Sequence, residues 1–436
     1  MHHWFQSNTH LRTAKSLFAI SIILIAVTSL KAEELRYENH VYNEEIKSVI
    51  LRTNKDFYDP IAIANLKSIN SLVLEFDYMQ ADQEFFQFQF IHCSAQWEPS
   101  DLQVTEYLEG ITMGEIRTYE FSTNTLKQYV HYTLKFPDNE MKLIKSGNYL
   151  LKVFRNFDEE DLVITRRFML LDSRTKSSGS VRGSTNPKTR FQNQEVDFEV
   201  NYENYQIPNP FTDVSGVILQ NNNWTTAKYN LKPLFVNSNN LIFNYEDVNV
   251  FDGNNEFRFF DIRSLRFFSN QVAEKFTDSV VNTVLRKEEN KGHVTYSFQK
   301  DFNGKRIFDN KDGSADQLDL DYSLVHFTLV ANNKINVGDV YIYGELTDWK
   351  ILPEFKMNYM EGRGFYTQSV LLKQGYYNYH YVVAKEGSDQ PEYAFTEGNH
   401  FETENDYTVL VYHHNMYYNY DELIGVLRLN SSGIQR

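Results

Sequence analysis

Few residues in this chain are placed to do chemistry. The single cysteine, Cys93, can form no internal disulfide and has no C-x-x-C neighbour for redox or metal work. The sequence holds no H-E-x-x-H, no G-x-S-x-G and no phosphate-binding glycine loop. Its twelve histidines are scattered, and the adjacent pair His413-His414 falls on opposite faces of a strand, a poor arrangement for one metal. Arg258, Asp261 and Arg263 stand among Phe257, Phe259 and Phe260. With no nucleophile or general base nearby, they are read as structural ion pairs. Asp309 to Asp321 is acidic enough to suggest a calcium loop. An EF-type alternation begun at Asn310, however, puts Ala315 where glycine is required, so a solvated linker with an Asp312-Gly313 turn is expected. The chain is read as a non-enzyme without a cofactor or metal.

The elements around these residues are strands. A length of 436 residues exceeds what one core holds and implies two to four domains. Aromatics make up 15% of the chain, mostly Phe and Tyr, which favours packed β-structure over disorder or a helical bundle. At the N-terminus, Arg12 and Lys15 precede the apolar run 17–27, and Leu30-Lys31-Ala32 offers a cleavage site. This reads as a secretory signal peptide over 1–32. Its removal takes away Arg12, Lys15 and Lys31 and no acid, so the net charge moves from −15 to −18. So acidic a surface excludes nucleic acid and anionic lipid as partners. No later stretch is apolar enough for a spanning helix, so direct membrane insertion is not expected either.

The stretch from Phe85 to Gly110 is the most structured in pattern. Phe86, Phe88, Phe90 and His92 alternate with Gln87, Gln89, Ile91 and Cys93, the period of a strand with one face in a core. Trp97 follows as the strand runs out, and Pro99 stops the ladder because it has no N–H to donate. About seven such runs between 46 and 171 predict an immunoglobulin-like sandwich for 33–172. They are 46–53, 71–78, 86–93, 117–121, 129–136, 148–154 and 162–171. Residues 173–190 carry five Lys/Arg and no acid, and read as a basic linker.

A second sandwich with its acidic linker is expected over 191–320, with strands at 214–220, 241–245, 256–263, 279–285 and 293–298. A third is expected over 321–415, followed by a tail at 416–436. In the third, Val340-Tyr-Ile-Tyr-Gly344 leads to Asp348-Trp349, then Gly364-Phe-Tyr, then Gly375-Tyr-Tyr-Asn-Tyr-His-Tyr. That order resembles the glycogen-binding, carbohydrate-binding-module sandwich of starch enzymes. The resemblance implies a sugar platform at Trp349, with Tyr393 where a second Trp would fall. The basic partner of that family is missing, so a scaffold kept without its ligand is the preferred reading.

A wider resemblance runs along the chain. Cys93-x-x-x-Trp97-x-Pro99-Ser-x-Leu102 with Glu106-Tyr107-x-x-Gly110 resembles the opening block of the type IX secretion system plug protein family, formerly a domain of unknown function. Ser146-Gly-Asn-Tyr-Leu150, Thr165-Arg166-Arg167-Phe168, Gln220-Asn221-x-x-Trp224 and Asn255-Glu-Phe-Arg258-x-Phe-Asp261-x-Arg263 continue it. The resemblance implies an all-β protein of three tandem immunoglobulin-like sandwiches, located in the periplasm and associated peripherally with the outer membrane. It implies a partner, the outer-membrane type IX translocon barrel, whose periplasmic mouth the protein would plug. It also implies structural or interface roles for Cys93, Trp97, Pro99, Tyr107, Gly110, Arg166, Arg167, Trp224, Arg258, Asp261 and Arg263. Small molecules are not expected as partners. A periplasmic or surface carbohydrate-binding protein using its C-terminal sandwich is the alternative.

Overall fold

Every long strand here sits in one of six main sheets that face each other in pairs. The computed structural model describes residues 33–55, 61–313 and 317–433, and the expected signal peptide lies outside them. In the first sandwich, strands Phe86–Cys93, Gly147–Arg155 and Asp158–Leu171 form one sheet, with short strands at its margins. Ile46–Thr53, Leu72–Tyr78, Thr118–Phe121 and Val130–Phe136 form the other. Leu72, Leu74 and Phe76 meet Phe86, Phe88 and Phe90 between them, with the Phe76 and Phe86 rings edge to face at 5.4 Å. The alternation legible in the sequence is this inner face.

The second sandwich is built from two separated pieces of chain. Lys176–Gly183, Asn193–Asn201, Asn240–Phe243 and two short strands make one sheet. Asn223–Leu231 and Val214–Gln220 make the other together with Asp406–Asn415 and Tyr420–Asn430. Val217 thus pairs with Leu410 in an antiparallel ladder. The third sandwich is inserted between these pieces. Its sheets centre on Gly375–Ala384, paired with Arg258–Asp261 and Asp339–Tyr343, and on Tyr322–Val330, paired with Phe365–Lys373.

The expected division therefore changes in three places. Residues 176–183 are an edge strand and not a linker, because pairing with Asn193–Asn201 uses backbone groups and tolerates the polar, exposed side chains there. Residues 406–430 belong to the second sandwich, not to the third domain and a tail. Residues 293–298 form no strand. Both long runs at the C-terminus are complete strands: Tyr420–Asn430 forms a hairpin with Asp406–Asn415, whose other partner, Val214–Gln220, lies some 190 residues upstream and out of reach of local pattern.

A further layer of organisation joins the domains. Strand Gly147–Arg155 is buried at every position but its last, and Val214–Gln220 at every position. Each has one face in its own core and the other in a shared apolar cluster that includes Cys93, Trp97, Leu150 and Met169 from the first sandwich. Val217, Leu219, Leu410, Tyr412 and Leu423 supply the second sandwich's side. The first two sandwiches are thus a stack of four sheets with three apolar layers.

Candidate functional site

Of the residues singled out in the sequence, Cys93, Trp97, Arg166, Arg167 and Trp224 lie at domain junctions. Trp97 occupies a left-handed backbone position (φ 68°) at the turn after Phe86–Cys93, held by its N–H to the Ser94 carbonyl at 3.0 Å. Only 2% of its surface is exposed. Its ring meets Trp224 of the second sandwich edge to face at 5.1 Å. The Arg167 guanidinium lies 4.5 Å from the Trp97 ring and 5.3 Å from that of Trp224, and donates two hydrogen bonds to the Tyr37 carbonyl. Such cation–aromatic contacts contribute most when water is excluded. Tyr412 completes this junction by donating to Asn148 Oδ1 at 2.7 Å.

Cys93 lies in the same layer. Burial pushes its thiol up to about 12, against a smaller opposing pull from Arg167. The native thiol is therefore expected to label at a small fraction of the rate seen in denaturant, as only the thiolate reacts. Rapid labelling by a soluble maleimide under native conditions would show that the junction opens.

Pro99, Tyr107 and Gly110 shape the same end of the first sandwich. Pro99 forms an isolated antiparallel bridge with Cys93, and Tyr107 donates its hydroxyl to the Phe90 carbonyl at 3.0 Å. Gly110 (φ 107°) is required as glycine, since a Cβ there would stand 2.0 Å from the Glu140 carbonyl oxygen.

The junction of the first and third sandwiches is ionic. Asp77, fully buried, accepts from the third sandwich's Lys373 Nζ at 2.6 Å and Tyr322 hydroxyl at 2.7 Å. His131 Nδ1 lies 2.7 Å from its other oxygen. Burial alone raises the Asp77 carboxyl, but the Lys373 charge and the His131 bond outweigh it and hold the carboxyl below its usual range. Lys373 also lies 4.5 Å over the Tyr129 ring. Beside this cluster Arg166, 3% exposed, pairs with Asp348 at 2.9 Å, and Arg306 reaches the other oxygen of Asp348 at 3.3 Å. Arg306 also donates to the Val49 carbonyl at 2.7 Å.

Arg258, Asp261 and Arg263 are not one cluster. Arg258 pairs with the fully buried Glu397 at 2.9 Å, while Arg263 grips Asp261 at 2.6 Å and lies 3.7 Å from Asp309. Trp349 departs from the expectation of an exposed sugar platform. It is 8% exposed, its ring is packed against Phe257 and Tyr343, and its carbonyl accepts from Thr225 of the second sandwich. Tyr393 is half-buried on the far side of Tyr343, its ring 6.1 Å away. The carbohydrate-module order therefore serves a domain junction here.

Sequence reasoning missed Asp77, Lys373, Asp348 and Arg306. A carboxylate within the apolar strand Leu72–Tyr78, whose neighbours are buried on both sides, was the available signal. Such a group needs a cation, and that cation comes from almost 300 residues away.

Fold and geometry define the class: three β-sandwiches fastened to one another by buried junctions. Residues 46–172 match the family described as Type 9 secretion system plug protein 1st domain, so the resemblance read from the sequence is borne out over that segment. The match ties residues 46–172 to type IX secretion. A crystal structure of a hypothetical protein from Parabacteroides merdae is similar over 91% of this chain and 100% of its own, at 28% identity and a TM-score of 0.85. A biofilm-associated protein's BSP domain covers 92% of this chain and 61% of its own at 8% identity, but its TM-score of 0.18 carries no argument. No curated protein matches. Among the described residues, no helix is long and apolar enough to cross a membrane.

Proposed function

We propose that this protein is a periplasmic plug. It binds the periplasmic mouth of the outer-membrane type IX translocon barrel and closes the pore by filling it. The observation that carries this reading is the fastening of three sandwiches into one body by an apolar layer and a buried ionic junction. An obstruct-by-bulk mechanism needs a body that does not flex. About 400 residues packed together have a radius of gyration of about 22 Å, which is enough to obstruct a conduit for folded cargo. The match of residues 46–172 supplies the link to the secretion system. A non-enzymatic role fits the way the candidate residues are used, since Trp97, Arg166, Arg167 and Trp224 join domains and Pro99, Tyr107, Gly110, Asp261 and Arg263 shape single sandwiches.

The test is a deletion strain assayed for uptake of a large antibiotic and for secreted cargo. Deletion is expected to raise uptake while secretion continues, and the tagged protein should copurify with the barrel from detergent-solubilised outer membranes. Unchanged permeability with abolished secretion would make the protein an active export component and end the plug reading.

A further inference from the structure

Where the three sandwiches meet there is a cavity of about 540 Å³. That volume lies in the range of ordinary small-molecule sites, which favour domain boundaries. Its basic wall comes from Arg52, Arg166 and Arg167 of the first sandwich and Arg263, Lys305 and Arg306 of the third. Three carboxylates, Asp309, Glu345 and Asp348, share that wall. Trp224 of the second sandwich, Trp349 and Met169 add apolar surface.

The charges divide into two groups. Arg52, Arg263 and Lys305 are each paired with a carboxylate outside the wall: Glu75 at 2.8 Å, Asp261 at 2.6 Å and Asp406 at 3.3 Å. The other three are not matched one for one. Arg166 and Arg306 share the single Asp348, and Arg167 bonds to a carbonyl and two rings with no ion pair among the described residues. Arg306 has only a tenth of its side chain exposed, and its buried Nε has no hydrogen-bond partner among the described residues. A buried guanidinium N–H left unpaired is costly, and an anionic oxygen is its natural acceptor. Glu345 stands beside this charge, and the Arg306 attraction opposes the effect of burial on its carboxyl. Burial pushes its carboxyl up towards the neutral form, and it accepts the Arg306 backbone N–H at 3.0 Å.

We propose that this cavity binds a small amphipathic organic anion, with its carboxylate or phosphate on Arg306 and Arg167 and its apolar body against Trp224, Trp349 and Met169. The planar guanidinium groups suit either oxyanion, and the tryptophans suit an acyl or aromatic body. Because the wall draws on all three sandwiches, the ligand would fasten them together and raise the melting temperature by mass action. No local pattern marks this site, because its lining is spread from position 39 to position 349.

The probes are octanoate, octyl phosphate and octanol, titrated into the full mature chain below their micellar concentrations, with heat release and melting temperature as readouts. At least one anion is expected to bind saturably at one site, octanol at least ten-fold more weakly, and the better anion identifies the headgroup class. Arg306→Gln should weaken that anion at least ten-fold. Ile307→Trp, which fills the cavity from a half-buried wall position without touching a charge, should abolish binding and carries the test if Arg306→Gln does not fold. Octanol binding as well as both anions, no saturable binding by either anion, or full binding in the Ile307→Trp chain would each overturn the proposal. None of these outcomes bears on the plug reading, which is scored by permeability.

Discussion

Trp97→Ala is expected to destabilise the chain by about 3–5 kcal/mol, the range for emptying a buried large aromatic site. The loss has two sources. The indole fills the apolar layer between the first and second sandwiches, and its removal takes one of the two rings from beside the Arg167 guanidinium. The backbone term largely cancels between tryptophan and alanine, since both carry a Cβ into the left-handed conformation at this position, and glycine alone relieves it. Trp97→Gly should therefore be no worse than Trp97→Ala despite its smaller side chain. Denaturant unfolding checks both. A Trp97→Ala chain with unchanged stability that no longer copurifies with the translocon would reassign Trp97 to the partner-binding surface.

Lys373→Met is expected to cost a similar amount, about 3–5 kcal/mol, because it leaves Asp77 buried without its cation. Adding Asp77→Asn should recover a large part of that loss, since the orphaned charge is then gone. The pH dependence has a definite sign. The Asp77 carboxyl is depressed in the folded state, so its contribution is fully present above the unfolded value of 3.8 and is lost as pH falls through the lower folded value. Urea unfolding from pH 7 downward should show a loss of stability in this window for the native chain and a smaller loss for Lys373→Met. Equal acid sensitivity in the two chains would mean that the Asp77–Lys373 contact does not hold the junction.

Strands were legible wherever one face met a core and the other met polar surroundings. Leu72–Tyr78 and Phe86–Cys93 carry that alternation plainly, and both are strands within a residue of where the pattern puts them. Val214–Gln220 was also readable as a strand, but its burial on both faces was not, because a run such as Val-Ser-Gly-Val-Ile-Leu-Gln carries no sign of what covers each side. The polar edge strand Lys176–Gly183 was hidden for the opposite reason. Its side chains contribute almost nothing to a core, so its composition is that of a linker. The residues of the family signature were found because resemblance marked them, but the placement of Trp97, Arg166, Arg167 and Trp224 at junctions depends on contacts between segments far apart in the chain. Arg166 with Asp348 and Asp77 with Lys373 are both of this kind. Nothing local to either partner announces the other.

Insertion of the third sandwich into the second makes the last residues of the chain decisive for the rest. A polypeptide made from its N-terminus presents the Cys93 and Trp97 face long before the strands that cover it, Asp406–Asn415 and Tyr420–Asn430, have been synthesised. A chain cut short near residue 400 would lose half of one sheet of the second sandwich and leave that tryptophan-bearing face wet. Exposed apolar β-surface of this kind invites aggregation and proteolysis. Closure of the Trp97 face thus waits on the C-terminal hairpin, so the longest exposed interval in the life of the chain ends only when its last strands are in place.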